Sequence, residues 1–377
     1  MKGLLVNKKL KIAFLGGGIN SAVGRTHKIA ISMDNRYDLV AGCFSRNYDI
    51  NIQTGNEYGV NKSRIYKNLI ELIKKEKNNI DAICILTPTP NHKNEVVECI
   101  QNGVKVICEK ALAVSSAEAL EIKEALDKYN GFLAVTYNYT GYPMLRELRN
   151  MIREGSLGKI EQVHVEMPQE SFARLDKNGN PQKPQDWRLC NKALPLLSLD
   201  LGTHTHDITK FLTGESPIEL VAIQNSFGSF RDVIDNSIAI SNYTNNIVSN
   251  IWFSKAALGH RNGLRVRVYG EIGSAEWYQL DPENLYFNDN KGHKLLIDRA
   301  SVDVNVTTES RYNRFKAGHP SGFIEAFANY YMDIADLILG ISNNENRYVF
   351  GIDDALEGLK MLEAMTSSSK NKKWVKI

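Results

Sequence analysis

The chain has 377 residues, of which 43% are hydrophobic and 24% charged, and its net charge is +3. That length exceeds what one small core needs and points to two domains of ordinary globular composition. So slight a basic excess leaves nucleic acid and anionic membranes without the electrostatic footprint they require, and neither is expected as a partner. In chain order, "LKIAFL" (10–15), "YDLVAGCF" (37–44), "IDAICIL" (80–86), "VKVICE" (104–109) and "FLAVTY" (132–137) are short, almost unbroken apolar runs. Strands buried on both faces of a parallel sheet read this way. Helical stretches lie between them at about 25–33, 67–77, 92–102 and 115–128, the last opening on a capping box of Ser115 and Glu118. This alternation predicts an α/β, doubly wound domain.

The pattern changes after about residue 140. A helix over "PMLRELRNMIREGSLG" is followed by strand-like runs with almost no helix between them: "KIEQVHVEM", "IELVAIQNSF", "NSIAISNY", "IVSNIWF", "LRVRVYG" and "GSAEWYQL". "NYTNNIVSN" reads as a hairpin turn, and two helices close the chain at roughly 322–340 and 352–368. The expectation is a second domain built on a mostly antiparallel sheet. One face of that sheet should lack helices and offer itself for self-association, as a dimer or tetramer. The long polar loop at 174–195 belongs to a class that is often functional.

The five cysteines, Cys43, Cys84, Cys99, Cys108 and Cys190, form no CxxC pair, and an odd count suits a reducing compartment. No apolar run reaches the length of a membrane span, and the N-terminal apolar stretch is too short for a signal peptide. A cytoplasmic protein is expected.

The first strand runs into "GGGINSAVGRTHKIA" (16–30). Gly16 and Gly18 have the spacing of the first two glycines of GxGxxG, and Ser21 takes the third place. Following a strand and opening a helix, this loop suits a dinucleotide pyrophosphate, with Gly16, Gly18, Ile19, Ser21 and Gly24 around it and a helix beginning near Arg25. The second strand ends in "GCFSRN", with no acid for a ribose hydroxyl. Ser45 and Arg46 suit a 2′-phosphate instead, so the cofactor is NAD or NADP with a lean to NADP. The alternatives for Arg46 are solvent and stacking on the adenine.

In "LSLDLGTHTHDITKFLTG" (197–214), a helix would put Asp200, His204 and Asp207 on one face and turn His206 away. A strand would align His204 with His206, as a metal-binding pair does.

Taken in order, "TPTPNH" (87–92), "CEKALAVSSAEA" (108–119), "DLGTHTHDITKFLTG" (200–214) and "GHPSGFIEAFANYYMDIADLI" (318–338) resemble the Gfo/Idh/MocA oxidoreductases. The resemblance covers nearly the whole chain. It implies a Rossmann domain (1–138), then a larger open, mostly antiparallel α+β domain (139–377) for substrate binding and oligomerisation. The C-terminal helices of the latter have the option of packing back on the first domain. It further implies an NAD(P)-dependent enzyme acting on a secondary hydroxyl of a sugar, glycoside or cyclitol. By resemblance, Lys110 is the active-site lysine lying between nicotinamide and substrate, and Asp200 and His204 are its catalytic partners. His204 would take the hydroxyl proton and Asp200 would orient substrate or imidazole, while His206 is structural and no metal is expected. Glu109-Lys110-Ala111 replaces the family's Glu-Lys-Pro, which leaves the Lys110–Ala111 bond either trans or cis.

Further cofactor contacts are expected from Thr87, Pro88, Asn91, His92 and Glu109, and from Asn138 at the carboxyl end of the fifth strand. Tyr139, Trp187 and Arg188 are expected on the substrate, with core packing as their alternative. Two other readings remain: a dinucleotide-binding sensor without catalysis, and a sugar–sugar oxidoreductase that keeps its nucleotide bound.

Overall fold

The computed structural model describes residues 8–184, 189 and 193–377. The five apolar runs form β1 (Leu10–Gly16), β2 (Tyr37–Cys43), β3 (Ala82–Leu86), β4 (Val106–Glu109) and β5 (Leu133–Thr136). They pair in parallel in the order β2-β1-β3-β4-β5. Ile12, Phe14, Ile83, Ile85, Ile107 and Val135 are fully buried, as strands covered on both faces require. The helices are α1 (Ala22–Met33), α2 (Tyr48–Glu57), α3 (Leu69–Glu76), α4 (Thr89–Gln101) and α5 (Ser116–Tyr129). At α5 the Ser115 hydroxyl accepts the Glu118 N–H at 3.2 Å, which is the capping contact the sequence predicts.

Helix α2 has no counterpart in the sequence reading, because "YDINIQTGNE" is rich in poor helix formers. Tertiary bonds supply what propensity lacks. Asn47 caps the helix by accepting the Ile50 N–H. Asn51, buried on its inner face, accepts the Phe44 N–H at 2.7 Å and donates to the Tyr66 carbonyl at 2.8 Å.

After α6 (Pro143–Arg153) the chain forms β6 (Ile160–Pro168), then α7 (Thr203–Thr213). β7 (Pro217–Asn225), β8 (Asn236–Tyr243), β9 (Val248–Ser254), β10 (Arg265–Gly270) and β11 (Gly273–Tyr278) follow. The sequence reading stops at β11, but β12 (Asp281–Asp289) and β13 (Lys294–Asp298) extend the sheet further. Aspartate, asparagine and proline mask them at the level of propensity, and pairing with β11 makes them strands. The chain ends in α8 (Phe323–Ile338), α9 (Ile352–Asn371) and β14 (Val375–Lys376). The nine-stranded order is β13-β12-β11-β10-β6-β9-β8-β7-β14. All pairs are antiparallel except β6 with β9, so the sheet is mixed.

Two compact units result. One holds the residues up to Gly141 together with Phe323–Leu356; the other holds Tyr142–Gly322 with Glu357–Ile377. In the second unit Val163, Val165, Leu220, Ile251, Phe253, Val266 and Trp277 point to the buried face of the sheet. Their neighbours on the opposite face, among them Ile223, Ile238, Ile240, Val248, Tyr286 and Leu296, stand exposed. Cross-strand pairing sets Ile223 beside Ile238 and Tyr286 beside Leu296. Among the described residues no helix is long and apolar enough to cross a membrane.

Candidate active site

In the first unit the glycine loop joins β1 to α1. Gly16 has φ +83°, and a Cβ there would stand 2.9 Å from the Leu86 carbonyl. Gly24 lies inside the first turn of α1, where a Cβ would meet the Gly17 carbonyl oxygen at 2.1 Å. The helix therefore starts at Ala22, earlier than the expected Arg25: Ser21 caps it, its hydroxyl accepting the Gly24 N–H at 3.3 Å. Helix α2 braces the loop. The Ile19 N–H donates to Thr54 at 3.1 Å, and the Tyr58 hydroxyl donates to the Gly17 carbonyl at 3.1 Å.

Ser45 and Arg46 follow β2. The Ser45 hydroxyl accepts the Asn47 N–H at 3.1 Å, and Arg46 is exposed. Thr87 follows β3 and donates its hydroxyl to Glu95, while Pro88 precedes the first residue of α4 and accepts the Asn91 N–H at 2.9 Å. Burial lifts the Glu95 carboxyl up to about 7, against the lowering pull of Thr87 and of the Arg46 charge. His92 is buried with one ring nitrogen 2.7 Å from the Thr87 carbonyl and the other 2.8 Å from the Ala111 carbonyl. Burial lowers its pKa against the raising pull of the two carbonyls, and in the neutral ring only one nitrogen carries the proton to donate to one of them. The Lys110–Ala111 peptide bond is cis.

Glu109, next to Lys110, ends a buried chain of hydrogen bonds. Burial alone would raise its pKa; the bond and charge of His27, the Lys110 charge and the Thr136 hydroxyl outweigh it and hold the carboxyl below its usual range. His27 Nε2 lies 2.9 Å from Glu109 Oε1, and Nδ1 lies 2.5 Å from the Tyr331 hydroxyl. Cys84 Sγ stands 3.1 Å from the same hydroxyl. An ionised carboxylate only accepts, so the His27 ring donates Nε2–H to Glu109, and the Tyr331 hydroxyl links His27 Nδ1 to the Cys84 thiol. Burial keeps that thiol protonated. Tyr331 comes from α8 and His27 from α1, so residues from both ends of the chain support Glu109.

Asn138 opens the turn after β5. It is buried, and its amide nitrogen has no hydrogen-bond partner among the described residues. An orphaned donor at the carboxyl end of a parallel sheet, with a loop too tight for side chains at Gly16 and Gly24, fits a bound dinucleotide. Tyr139 is buried and packs on Phe323 at 6.0 Å. Trp187 and Arg188 lie outside the described residues.

In the second unit the segment at 197–214 is helical, not a strand. Regular α-helix begins at Thr203, and Ser198–Gly202 forms a π turn in which the Thr203 N–H reaches the Ser198 carbonyl. Such single wide turns recur at functional sites. Asp200 sits in that turn and His204 follows in α7. Lys255, directly after β9, places its ammonium 2.5 Å from Asp200 Oδ2. His204 is 3% exposed.

His206 points elsewhere. Its Nε2 is 3.4 Å from Glu357 on α9, and a Cβ at Gly358 would touch its ring at 2.9 Å. Burial drives its pKa down from 6.5 to about 4, with Lys210 adding to the fall and Glu357 opposing it. The unfolded imidazole takes a proton below 6.5, whereas the folded one stays neutral until about 4. Stability is therefore lost as pH falls through that window, by roughly 3 kcal/mol at most. Thermal melting should show this loss in the unmodified chain and a smaller one in His206→Gln; equal losses would exclude His206 as the source.

Sequence reasoning misses three of these groups. Lys255 is a lone lysine after an apolar strand, and nothing local ties it to Asp200. His27 reads as one more residue of α1, and Glu95 as a surface position of α4.

Residues 10–137 match the NAD-binding Rossmann fold of the Gfo/Idh/MocA oxidoreductase family, and residues 149–377 match its C-terminal alpha/beta domain. The chain is 31% identical to an uncharacterized oxidoreductase, YfiI, of Bacillus subtilis, over 98% of both chains. An oxidoreductase from Sinorhizobium meliloti superposes with a TM-score of 0.86 at 32% identity, covering 98% of this chain and 99% of that one. An inositol dehydrogenase homolog from Azotobacter vinelandii, complexed with NADH and myo-inositol, superposes with a TM-score of 0.88 at 25% identity over 99% of each chain. With its two sheets, its glycine loop and these relatives, the chain belongs to the Gfo/Idh/MocA family of oxidoreductases and carries that family's NAD-binding Rossmann domain.

Proposed function

We propose that this oxidoreductase interconverts a secondary hydroxyl and a ketone on a sugar, glycoside or cyclitol. The observation that carries the proposal is that His204 follows one helical turn after Asp200, whose carboxylate Lys255 engages, in a chain whose other unit carries a dinucleotide loop. The relative that holds NADH and myo-inositol supports it. Gly16, Gly18, Ser21 and Gly24 shape the pyrophosphate site, and Thr87, Pro88, Asn91, His92, Glu109 and Asn138 the nicotinamide end. When bound there, a nicotinamide would supply the hydride acceptor or donor for the carbinol carbon. His204 takes the hydroxyl proton on its imidazole nitrogen, Lys110 hydrogen-bonds the reacting oxygen, and Asp200 accepts a neighbouring hydroxyl. Tyr139, Trp187 and Arg188 remain candidates for the polyol.

A screen of cyclitols and sugars, myo-inositol first, with NAD and with NADP tests this reading by the change in nicotinamide absorbance. Dinucleotide binding without turnover of any polyol would favour a non-catalytic sensor. In the same assays NADP should bind at least as well as NAD, since the exposed Arg46 suits a 2′-phosphate. Arg46→Ala should weaken NADP selectively, on the order of tenfold to a hundredfold. Much tighter binding of NAD by the unmodified chain would remove that role from Arg46.

We also propose a homodimer or homotetramer joined through the exposed face of the nine-stranded sheet, where Ile223, Ile238 and Ile240 leave apolar surface uncovered. Sedimentation at micromolar concentration should find no monomer, and an Ile238→Lys, Ile240→Lys variant should dissociate; a monomeric unmodified chain refutes it.

A further inference from the structure

We infer that Lys255 is a positioning residue for the reaction: it holds the Asp200 carboxylate in the orientation in which Asp200 receives a substrate hydroxyl. The inference rests on Asp200 and His204 serving a polyol, as proposed above. Lys255 is fixed at both ends. Its backbone N–H donates to the Asp235 carbonyl at 2.7 Å, and its own carbonyl accepts the Phe172 N–H at 2.8 Å. Its side chain is only 7% exposed and runs inward, with Nζ 2.5 Å from Asp200 Oδ2 and 5.3 Å from the centre of the Phe172 ring. An ammonium so deeply placed is tolerated only when paired, and a ring face is a second favourable neighbour.

The two members of the pair differ in access. The Asp200 side chain is 23% exposed, more than three times the lysine value. The carboxylate is therefore the member open to a ligand, and the lysine supports it from behind. Asp200 needs that support, because it sits in a π turn outside the regular register of α7. A short acidic side chain on an irregular turn holds a productive rotamer only when another group fixes it. Lys255 does so with a charge-assisted bond, the strongest kind available to a side chain.

The test uses the polyol with the highest kcat/KM in the screen. Lys255→Met should raise KM on the order of 10- to 100-fold, with kcat changed less and NAD affinity unchanged. Lys255→Arg, which keeps a donor and the charge, should recover most of the loss. In an Asp200→Asn background, Lys255→Met should add less than about threefold, because residues acting through one another are not additive. If the single Lys255→Met variant does not fold, the double variant, which leaves no buried charge unpaired, is compared with Asp200→Asn alone. Unchanged KM and kcat in Lys255→Met, or an equal loss in the Asp200→Asn background, overturns the inference. An unmodified chain that binds NAD but turns over no polyol overturns the reaction itself, and this inference with it.

Discussion

Replacing His204 with alanine is expected to lower kcat by about 10²–10⁴-fold, the range of general acid–base assistance, with dinucleotide affinity unchanged. His204 is buried in the first turn of α7. The nearby carboxylate is engaged: Asp200 meets an ammonium at 2.5 Å, which suits it to hold a hydroxyl and not to take a proton. In the proposed reaction His204 is the proton acceptor of the segment. Lys110→Ala should be similarly damaging and should also disturb the cofactor. His206→Ala should keep turnover, since its ring packs on Glu357 and Gly358. Steady-state kinetics with parallel calorimetry separates these effects. Loss of turnover in the His206 variant with retention in the His204 variant would reverse the assignment.

The second large effect is expected at Gly18. Gly18→Val should bring dinucleotide binding below detection by calorimetry while far-ultraviolet circular dichroism and cooperative melting persist. Gly16 and Gly24 are poor choices for this test, because a Cβ at either would run into backbone and threaten the fold. At Gly18 a Cβ would stand 3.2 Å from the Phe44 carbonyl oxygen and 3.4 Å from an Ile50 methyl. A side chain there is tight but tolerable for the protein. Its outer methyls would occupy space that a pyrophosphate needs close to the backbone. Unchanged affinity in a folded variant would mean that the phosphates lie elsewhere.

What could be read in advance follows the range of the interactions involved. Strands β1 to β5 announce themselves because burial on both faces writes an apolar run into each one. Helix α7 is legible from the spacing of "DLGTHTHDITKFL". Helix α2 is hidden because distant partners, Phe44 and Tyr66, stabilise it through Asn51. The π turn at 198–202 has only Gly202 as a trace, crowded by Leu362 and Phe253 side chains that no local pattern reveals. Lys255 stands 55 positions from Asp200. His27 and Tyr331 stand 304 positions apart. Periodicity reports the face an element buries; it carries nothing about which single side chain meets another across the fold.

The support of Glu109 also bears on the order in which the chain matures on the ribosome. The sheet of the first unit, its glycine loop, His27 and Glu109 are all synthesised before Tyr142. Tyr331, which holds His27, and Tyr330, whose hydroxyl donates to the Val135 carbonyl at 2.5 Å, emerge only after nearly all of the second unit has been made. Domains generally fold as their sequences appear. Here the dinucleotide unit cannot close its buried polar chain at that stage, and a nascent fragment ending at Gly141 would carry Glu109 and His27 without their distal anchor. Closure of the buried chain around Glu109 is thus tied to synthesis of the polypeptide through Tyr331.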